Sequence, residues 1–489
     1  MIPRMRILIS HFHLQTGGVS RVIEHACMAL AAGGHRVLVV AGEPPQQPLP
    51  EGVGFDLVPA LAYEERRPAV GPAELAATLV QTARERLGEM PDLWHIHNHC
   101  LGKNLALPEA LCTLARQGQR LLLQPHDFAE DGRPGLYAKL LGELGGGDPA
   151  RLSALLYPQA AHLHYAVLND RDRSFLTAAG IPHDRLHLLP NAVNLPPPAD
   201  RSADLFPDRR LWLYPTRAIR RKNLGELLLW ATLAEEQDLF ATTQAPQNPA
   251  ELPRYRRWVA LARELMLGLE LELGNRVDDF PALLASAHAL VTTSVAEGFG
   301  LAFLESWLAG RPLVGRNLPE ITEDFVTAGL DLGALYERLE VPLDWLDWDR
   351  LRRAMVEQAL TAVAAAYGRA ETPADRERLW ASAVRDGHID FGRLDETAQE
   401  EVIRRLAANP QDRAFLRPAR LPDATPADRI AHNRTLAERD YSIAGYGRRL
   451  ERIYRSLLDA TVDPKLGAAD GAILLERFLA PERLFLLRT

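Results

Sequence analysis

Cysteine is scarce: Cys27, Cys100 and Cys112 are the only three in 489 residues. An odd count with no metal-ligand spacing excludes a disulfide framework and a cysteine-built zinc site, so a reducing, cytoplasmic setting is expected. No apolar run of about 18 residues is present, which excludes the ordinary signature of a membrane-spanning helix. The amino terminus, MIPRMRILIS, turns polar too soon for a secretory leader and reads as a first strand. Basic excess is missing too. The chain carries 56 Lys and Arg against 64 Asp and Glu, a formal charge of −8. Neither a nucleic-acid footprint nor the Lys/Arg cluster of a membrane-surface helix follows from that balance. An anionic ligand has to be met by a few local cations. Internal repeats and low-complexity tracts are absent as well.

What is present is an ordinary globular composition, 47% apolar and 25% charged. The length suits two domains, each able to bury its own core. Short apolar runs alternate with helical patterns, as in parallel sheets wrapped by helices. In the first half the expected strands are Arg6–Ser10, Arg36–Ala41, Leu93–His97, Arg120–Gln124, Tyr165–Leu168 and Leu186–Leu189, with helices over Val19–Ala32 and Pro72–Leu87. The proline-rich stretch Pro190–Asp200 reads as a linker. Alternation then resumes with expected strands Leu211–Thr216, Leu239–Thr243, Leu269–Leu273, Ala289–Thr293 and Pro312–Gly315. The resulting partition is an α/β domain over 1–196, a second over 197–330, a charged helical insertion over 331–438, and a closing helix with tail over 439–489.

The most informative stretch is EGFGLAFLE, in which Glu297 and Glu305 stand eight positions apart. Between them the turn Gly298-Phe299-Gly300 leads into Leu301 and an apolar helix start. Glycines let a backbone approach a ligand closely, and a helix start aims free N–H groups at an anion. At roughly 1.5 Å per residue, the helix carries the second acid several ångströms along. The pair can therefore hold hydroxyls at opposite ends of a bent ligand with a diphosphate between, which suits a nucleotide-diphosphate sugar. Eighty residues earlier, YPTRAIRRKN places Arg217 at a strand end and Lys222 before a helix. A guanidinium matches phosphate oxygens bidentately and an ammonium serves as a point charge. Arg220 and Arg221 are expected to be solvated or salt-bridged, and Asn223 with Glu226 has the form of a capping box.

Three further segments carry polar chemistry. TGGVSRV sets Gly17 and Gly18 at a helix start, where their amides can reach an anion. QPHDF puts His126 and Asp127 after a strand. WHIHNH places His95, His97 and His99 on one strand face, but zinc needs three or four converging ligands, so no metal is expected there. The DWD of Asp347–Asp349 lies in the helical insertion and is discounted as a metal motif.

Together, R-x4-K and E-x7-E resemble the family-4 retaining glycosyltransferases of the GT-B fold, over most of residues 1–330 and again at Tyr441–Leu458. The resemblance implies two Rossmann-like doubly wound domains facing a cleft. It implies that Arg217 and Lys222 hold a donor diphosphate, that Glu297 contacts sugar hydroxyls and Glu305 the ribose, and that the amides of Gly298, Phe299, Gly300 and Leu301 cover sugar and phosphates. Gly17 and Gly18 match the family's glycine pair near the donor phosphate. His126 matches the histidine beside the reacting sugar, with Asn98, His99 and Asp127 on the acceptor side. The function implied is transfer of a hexose, UDP-glucose being the expected donor, to a hydroxyl of a small soluble acceptor, with no obligatory cofactor or metal and room for a homo-oligomer. A GT-B epimerase or phosphorylase, and a non-catalytic nucleotide-sugar-binding regulator, are the alternatives. RNLPEI, Arg316–Ile321, departs from the family's glycine-rich turn there. The segment 331–438 is longer than the family requires; a share in the acceptor pocket, a lid or an oligomer interface is the range of roles it suggests.

Overall fold

Strands such as Arg36–Ala41 (RVLVVA) are apolar on both faces and so need covering on both sides, as in a wound parallel sheet. In the computed structural model, which describes residues 4–195, 205–422 and 425–488, that strand lies in a seven-stranded sheet. Its order is Gly54–Leu57, Arg36–Ala41, Arg6–His11, Leu93–His97, Leu121–Gln124, Leu163–Val167, Leu186–Leu188, with every pairing parallel. The second sheet has six strands in the order Leu269–Glu270, Asp238–Gln244, Arg210–Arg217, Ala289–Thr292, Leu313–Arg316, Leu335–Tyr336, again all parallel. Each reverses direction beside its first strand, the arrangement of a doubly wound nucleotide-binding sheet. The expected fold class of two Rossmann-like α/β domains is what the chain adopts.

Contacts divide the chain into two units, one of residues up to Ala192 with Asp440–Leu479, the other of Val193–Arg439 with the residues from Ala480 onward. The helix Ile443–Asp459 belongs to the first unit because its Tyr446, Leu450, Tyr454 and Leu457 join the core of the strands Arg6–His11 and Arg36–Ala41. Gly447 lets it approach the helix Gly18–Ala32, where an added Cβ would sit 2.8 Å from Ala29.

Several expectations need correction. The segment 331–438, expected as a helical insertion, packs into the core of the second unit. Leu339, Val341, Ile389, Phe391 and Val402 share one core with Trp212, Leu228 and Phe240 of the second sheet's layer. It is not all helical, since Glu340–Pro342, His388–Asp390 and Val384–Arg385 form a three-stranded antiparallel sheet. Leu269–Leu273 shortens to a strand at Leu269–Glu270 followed by a 3-10 turn at Leu273–Asn275. The edge strands Gly54–Leu57 and Leu335–Tyr336 carry too little apolar pattern to be legible beforehand. Of the expected linker Pro190–Asp200, residues 196–200 lie outside the described residues, as does the 196/197 boundary. Among the described residues no helix is long and apolar enough to cross a membrane.

Candidate active site

The second unit gathers its cations and acids at the carboxyl ends of two adjacent strands, Arg210–Arg217 and Ala289–Thr292. Arg217 ends the first of them. Its guanidinium Nε is buried and has no hydrogen-bond partner among the described residues. The chain then turns through Arg220–Lys222 before the helix Leu224–Thr232. Thr293 Oγ1 donates to the carbonyls of Lys222 and Asn223 at 2.9 and 3.1 Å, and the Val295 N–H donates to the Arg221 carbonyl at 3.0 Å. These bonds tie the basic turn to the loop that delivers Glu297.

Glu297 is the hub. Lys222 Nζ donates to its Oε1, Arg221 Nη1 to its Oε2 at 3.1 Å, and Ser294 Oγ to its Oε1 at 2.6 Å. Tyr214, whose hydroxyl lies 2.6 Å from Ser294 Oγ, completes the chain. Burial alone would raise the Glu297 pKa; the charges of Lys222 and Arg221, with the Lys222 and Ser294 hydrogen bonds, outweigh it and bring the carboxyl down to about 2. Burial lowers the Lys222 pKa against the pull of Glu297, and the negative field of Glu305 also reaches that ammonium.

The turn between the two acids carries two glycines. Gly300 has φ +84°, and a Cβ there would lie 2.6 Å from the Phe303 ring, so only glycine fits. Gly298 differs, because a Cβ built on it meets nothing within 4 Å. Leu301 caps the helix Ala302–Leu308, on which Glu305 stands in the first turn. Phe299 is buried and meets Phe325 edge-on at 5.5 Å.

The capping box expected at Asn223 does not form. Asn223 is in the left-handed region at φ 53°, with no side-chain cap bond. Glu226 turns inward and receives Arg316 Nη2 at 2.6 Å and the Tyr336 hydroxyl at 2.7 Å, because a buried guanidinium needs a carboxylate more than a solvated helix end does. Arg316 also bonds Asp390 at 2.8 Å, so the bulky residue that replaces the expected glycine turn is wholly internal. Glu320 pairs with Arg483 at 2.5 Å. Asp347 of the DWD accepts the Arg350 N–H at 2.9 Å as a helix cap.

In the first unit, Gly17 and Gly18, both exposed, open the helix Gly18–Ala32 with no side-chain cap. His126 is nearly buried, with its Nε2 2.8 Å from His97 Nδ1, and the two rings stack at 5.1 Å. His95 stacks on His97 at 4.3 Å, with its nitrogens 2.8 Å from the Tyr454 hydroxyl and 2.8 Å from Gln124 Oε1. Burial first, and neighbouring imidazoles second, push His126 and His11 down to about 3, so this stack is neutral. Among the described residues no three His, Cys, Asp or Glu side chains converge to hold a metal.

The acceptor-side residues separate. Asp127 is partly exposed and accepts Arg133 at 2.6 Å. His99, expected on the acceptor side, is 1% exposed and bonded to the Leu156 carbonyl at 2.9 Å. Asn98, also buried, sits at φ 57° and accepts the N–H groups of His126 and Asp127 at 2.7 and 3.1 Å. These two bonds hold the backbone of the His-Asp corner. Sequence reasoning missed Ser294 and Tyr214 altogether, and left Arg221 between solvent and an ion pair. The Ser294-x-x-Glu297 spacing was the one signal available, since three residues bring a hydroxyl back onto a carboxylate across a turn.

Residues 17–192 match the glycosyl transferase 4-like domain, and residues 244–341 match the glycosyl transferases group 1 domain. The chain is 26% identical to a mannosylglucosyl-3-phosphoglycerate synthase from Petrotoga mobilis, over 72% of this chain and 72% of that one. Its fold is similar to that of Anabaena HepE in complex with UDP and glucose, with a TM-score of 0.53 and 14% identity over 93% of this chain and 100% of that one. It is likewise similar to a glycosyltransferase from Rickettsia africae, with a TM-score of 0.55 and 12% identity over 94% and 100%. One matched domain falls in each wound unit, and the chain belongs to the GT-B glycosyltransferases.

Proposed function

We propose that this chain is a retaining hexosyltransferase, acting in the cytoplasm, that moves a sugar from a nucleotide diphosphate to a hydroxyl of a small soluble acceptor. The observation that carries the reading is the Lys222–Glu297 pair beyond one strand end beside the strand that Arg217 ends, with the Arg217 Nε unpartnered among the described residues and open space where a Cβ on Gly298 would lie. In this reading Lys222 and Arg217 take the diphosphate oxygens, and the amides at Gly300–Leu301 meet the same charge. Negative charge grows on the departing diphosphate in the transition state, and fixed donors aimed at it stabilise that state more than the ground state, each by roughly 3–4 kcal/mol. Because phosphate charge is met by side chains and amides, the reaction asks for no obligatory metal.

Glu297 would exchange Lys222 for sugar hydroxyls, and Glu305 would hold the ribose. Retention follows when the acceptor hydroxyl attacks from the face the diphosphate leaves, its proton passing to a departing phosphate oxygen; no side chain need become a covalent nucleophile. His126 is neutral, so its imidazole and the adjoining backbone can face positive charge at the anomeric carbon without repelling it. Asp127 and the Gly17–Gly18 amides remain the acceptor-side and phosphate-side groups of the first unit. The relative's name describes a small glycosylated organic acid, which favours a small acceptor and a hexose. UDP-glucose is the first donor to try, since HepE was captured with UDP and glucose, and a mannosyl donor is the second.

The test is release of nucleoside diphosphate across a donor panel, with and without glycosylated organic acids as acceptors, and NMR of the product's anomeric configuration. Transfer with retention, reduced about 100-fold or more in Lys222→Ala at saturating donor, supports the reading. Release that ignores the acceptor, inversion, or near-normal turnover in Lys222→Ala overturns it.

A further inference from the structure

The basic turn that carries Lys222 is also gripped by the helix Glu396–Ala408 of the long segment that follows the second sheet. Arg220, two residues before Lys222, donates to both Glu396 carboxylate oxygens, Nε at 2.6 Å and Nη2 at 3.0 Å. That bidentate pair is mostly buried, the side chains being 16% and 14% exposed. Asn223, directly after Lys222, accepts Gln399 Nε2 on its Oδ1 at 2.9 Å, and gives its own Nδ2 to Glu226 at 2.7 Å. Gln399 is 0% exposed and also donates to the Phe391 carbonyl at 3.1 Å, so its amide has one orientation.

These contacts act on an unusual backbone. Asn223 holds φ 53°, in the left-handed region that, glycine aside, asparagine enters most readily. Between φ of Asn223 and the Arg220 anchor, the direction in which Lys222 leaves the chain is fixed. The helix can come this near because residue 225 is glycine; a Cβ there would lie 2.2 Å from Gln399 Oε1. Glu396 and Gln399 are three residues apart and so share one face of their helix, turned to the two residues that bracket the lysine.

We propose that Gln399 and Glu396 are positioning residues for Lys222, and that the segment 331–438 serves the donor site as the outer half of a clamp on its basic turn. The inference rests on the reading of Lys222 as a diphosphate ligand. Neither residue touches the donor. Their effect passes through Asn223 and Arg220 to the ammonium, so it has to vanish when the ammonium is gone.

The experiment uses the full chain and inorganic pyrophosphate as the probe, titrated calorimetrically against wild type, Gln399→Leu, Lys222→Ala and the double variant. Gln399→Leu is expected to weaken pyrophosphate about tenfold, and the double variant to bind no more weakly than Lys222→Ala alone, since residues acting through one another are not additive. Losses that multiply in the double variant, or unchanged affinity in Gln399→Leu, overturn the inference while leaving the donor site standing. Should wild type bind no pyrophosphate and Lys222→Ala match it in turnover, the donor site itself fails and the clamp with it. Glu396→Gln provides the same cycle from the half-buried side of the helix if Gln399→Leu does not fold; a conserved tenfold loss there, cancelled by Lys222→Ala, supports the clamp, and its absence counts against it.

Discussion

The Lys222 ammonium donates to the Glu297 carboxylate, so the cation assigned to a diphosphate and the acid assigned to a sugar hold each other. Under the proposed function, binding a donor would exchange this internal pair for two external ones and make Glu297 a brake on anion binding as well as a sugar ligand. In Glu297→Gln the charges of Lys222 and Arg221 lose their counter-ion, and a nucleoside diphosphate is expected to bind several-fold more tightly while sugar transfer falls about 100-fold. Calorimetry with the diphosphate and turnover with the donor read the two separately. The same variant has a pH signature. Glu297 titrates near 2 in the folded chain against about 4.5 unfolded, so its stabilising share is present above pH 4.5 and lost as pH falls towards 2. The melting deficit of Glu297→Gln is therefore expected to shrink between pH 6 and pH 3.

Gly298 and Gly300 look alike in sequence and differ in what they require. At Gly300 the left-handed φ and the 2.6 Å approach to Phe303 make a methyl group costly, so Gly300→Ala is expected to lose about 2 kcal/mol or more of stability in denaturant titration. At Gly298 a methyl group meets nothing within 4 Å. Gly298→Ala is expected to keep its stability within about 0.5 kcal/mol and to lose sugar transfer at least tenfold, because the added methyl occupies the space assigned to the donor. Equal loss of stability in both variants would show that the turn is closed structure and not a binding surface.

Arg316 stands between Glu226 and Asp390, all three almost wholly buried. Removing one partner from a buried ion network strands charge in a low-dielectric interior and costs about 3–5 kcal/mol. Arg316→Met is expected to show that loss in denaturant titration. Replacing Glu226 and Asp390 by leucine in the same chain should return most of it, since a packed apolar core can match a buried ion triad. A triple variant no more stable than Arg316→Met would mean that geometry around Tyr336 and Leu339, rather than charge, sets the cost.

Periodicity found what packing demands directly. Arg36–Ala41, Leu93–His97 and the helix Pro72–Leu87 fall at the expected residues because each is apolar where it meets the sheet. The Lys222 and Glu297 motifs were legible because chemistry fixes their residue types and a strand end fixes their place. The partner each chose was not. Which carboxylate Lys222 meets depends on the fold of a loop held by Thr293, and local spacing says nothing about a hydrogen bond across 71 residues. Asn223 and Glu226 show the same limit, since their spacing suits a helix cap while Arg316, 90 residues away, claims the acid. The role of 331–438 was hidden for that reason as well: Glu396 and Gln399 look like ordinary residues of an exposed helix until Arg220 and Asn223 are set against them.

Glu130 is a buried acid outside the proposed chemistry. It is 1% exposed; the Tyr157 hydroxyl donates to its Oε1 at 2.9 Å, and its Oε2 has no hydrogen-bond partner among the described residues. Burial pushes its pKa up to about 7, against the smaller downward pull of backbone and Tyr157 hydrogen bonds. Unfolded, the same acid titrates near 4.5. Between those values the folded chain holds a proton that the unfolded chain has released, so stability falls as pH rises from 4.5 to 7 and stays lowered above it. The full effect is on the order of 3 kcal/mol. Glu130→Gln keeps the size of the protonated acid and cannot ionise. It is expected to melt with wild type at pH 5 and several degrees above it at pH 8, as followed by circular dichroism in buffers of equal ionic strength. A glutamine variant that melts lower at both values would mean that the charged carboxylate, not the neutral acid, is the form the first unit is built to hold.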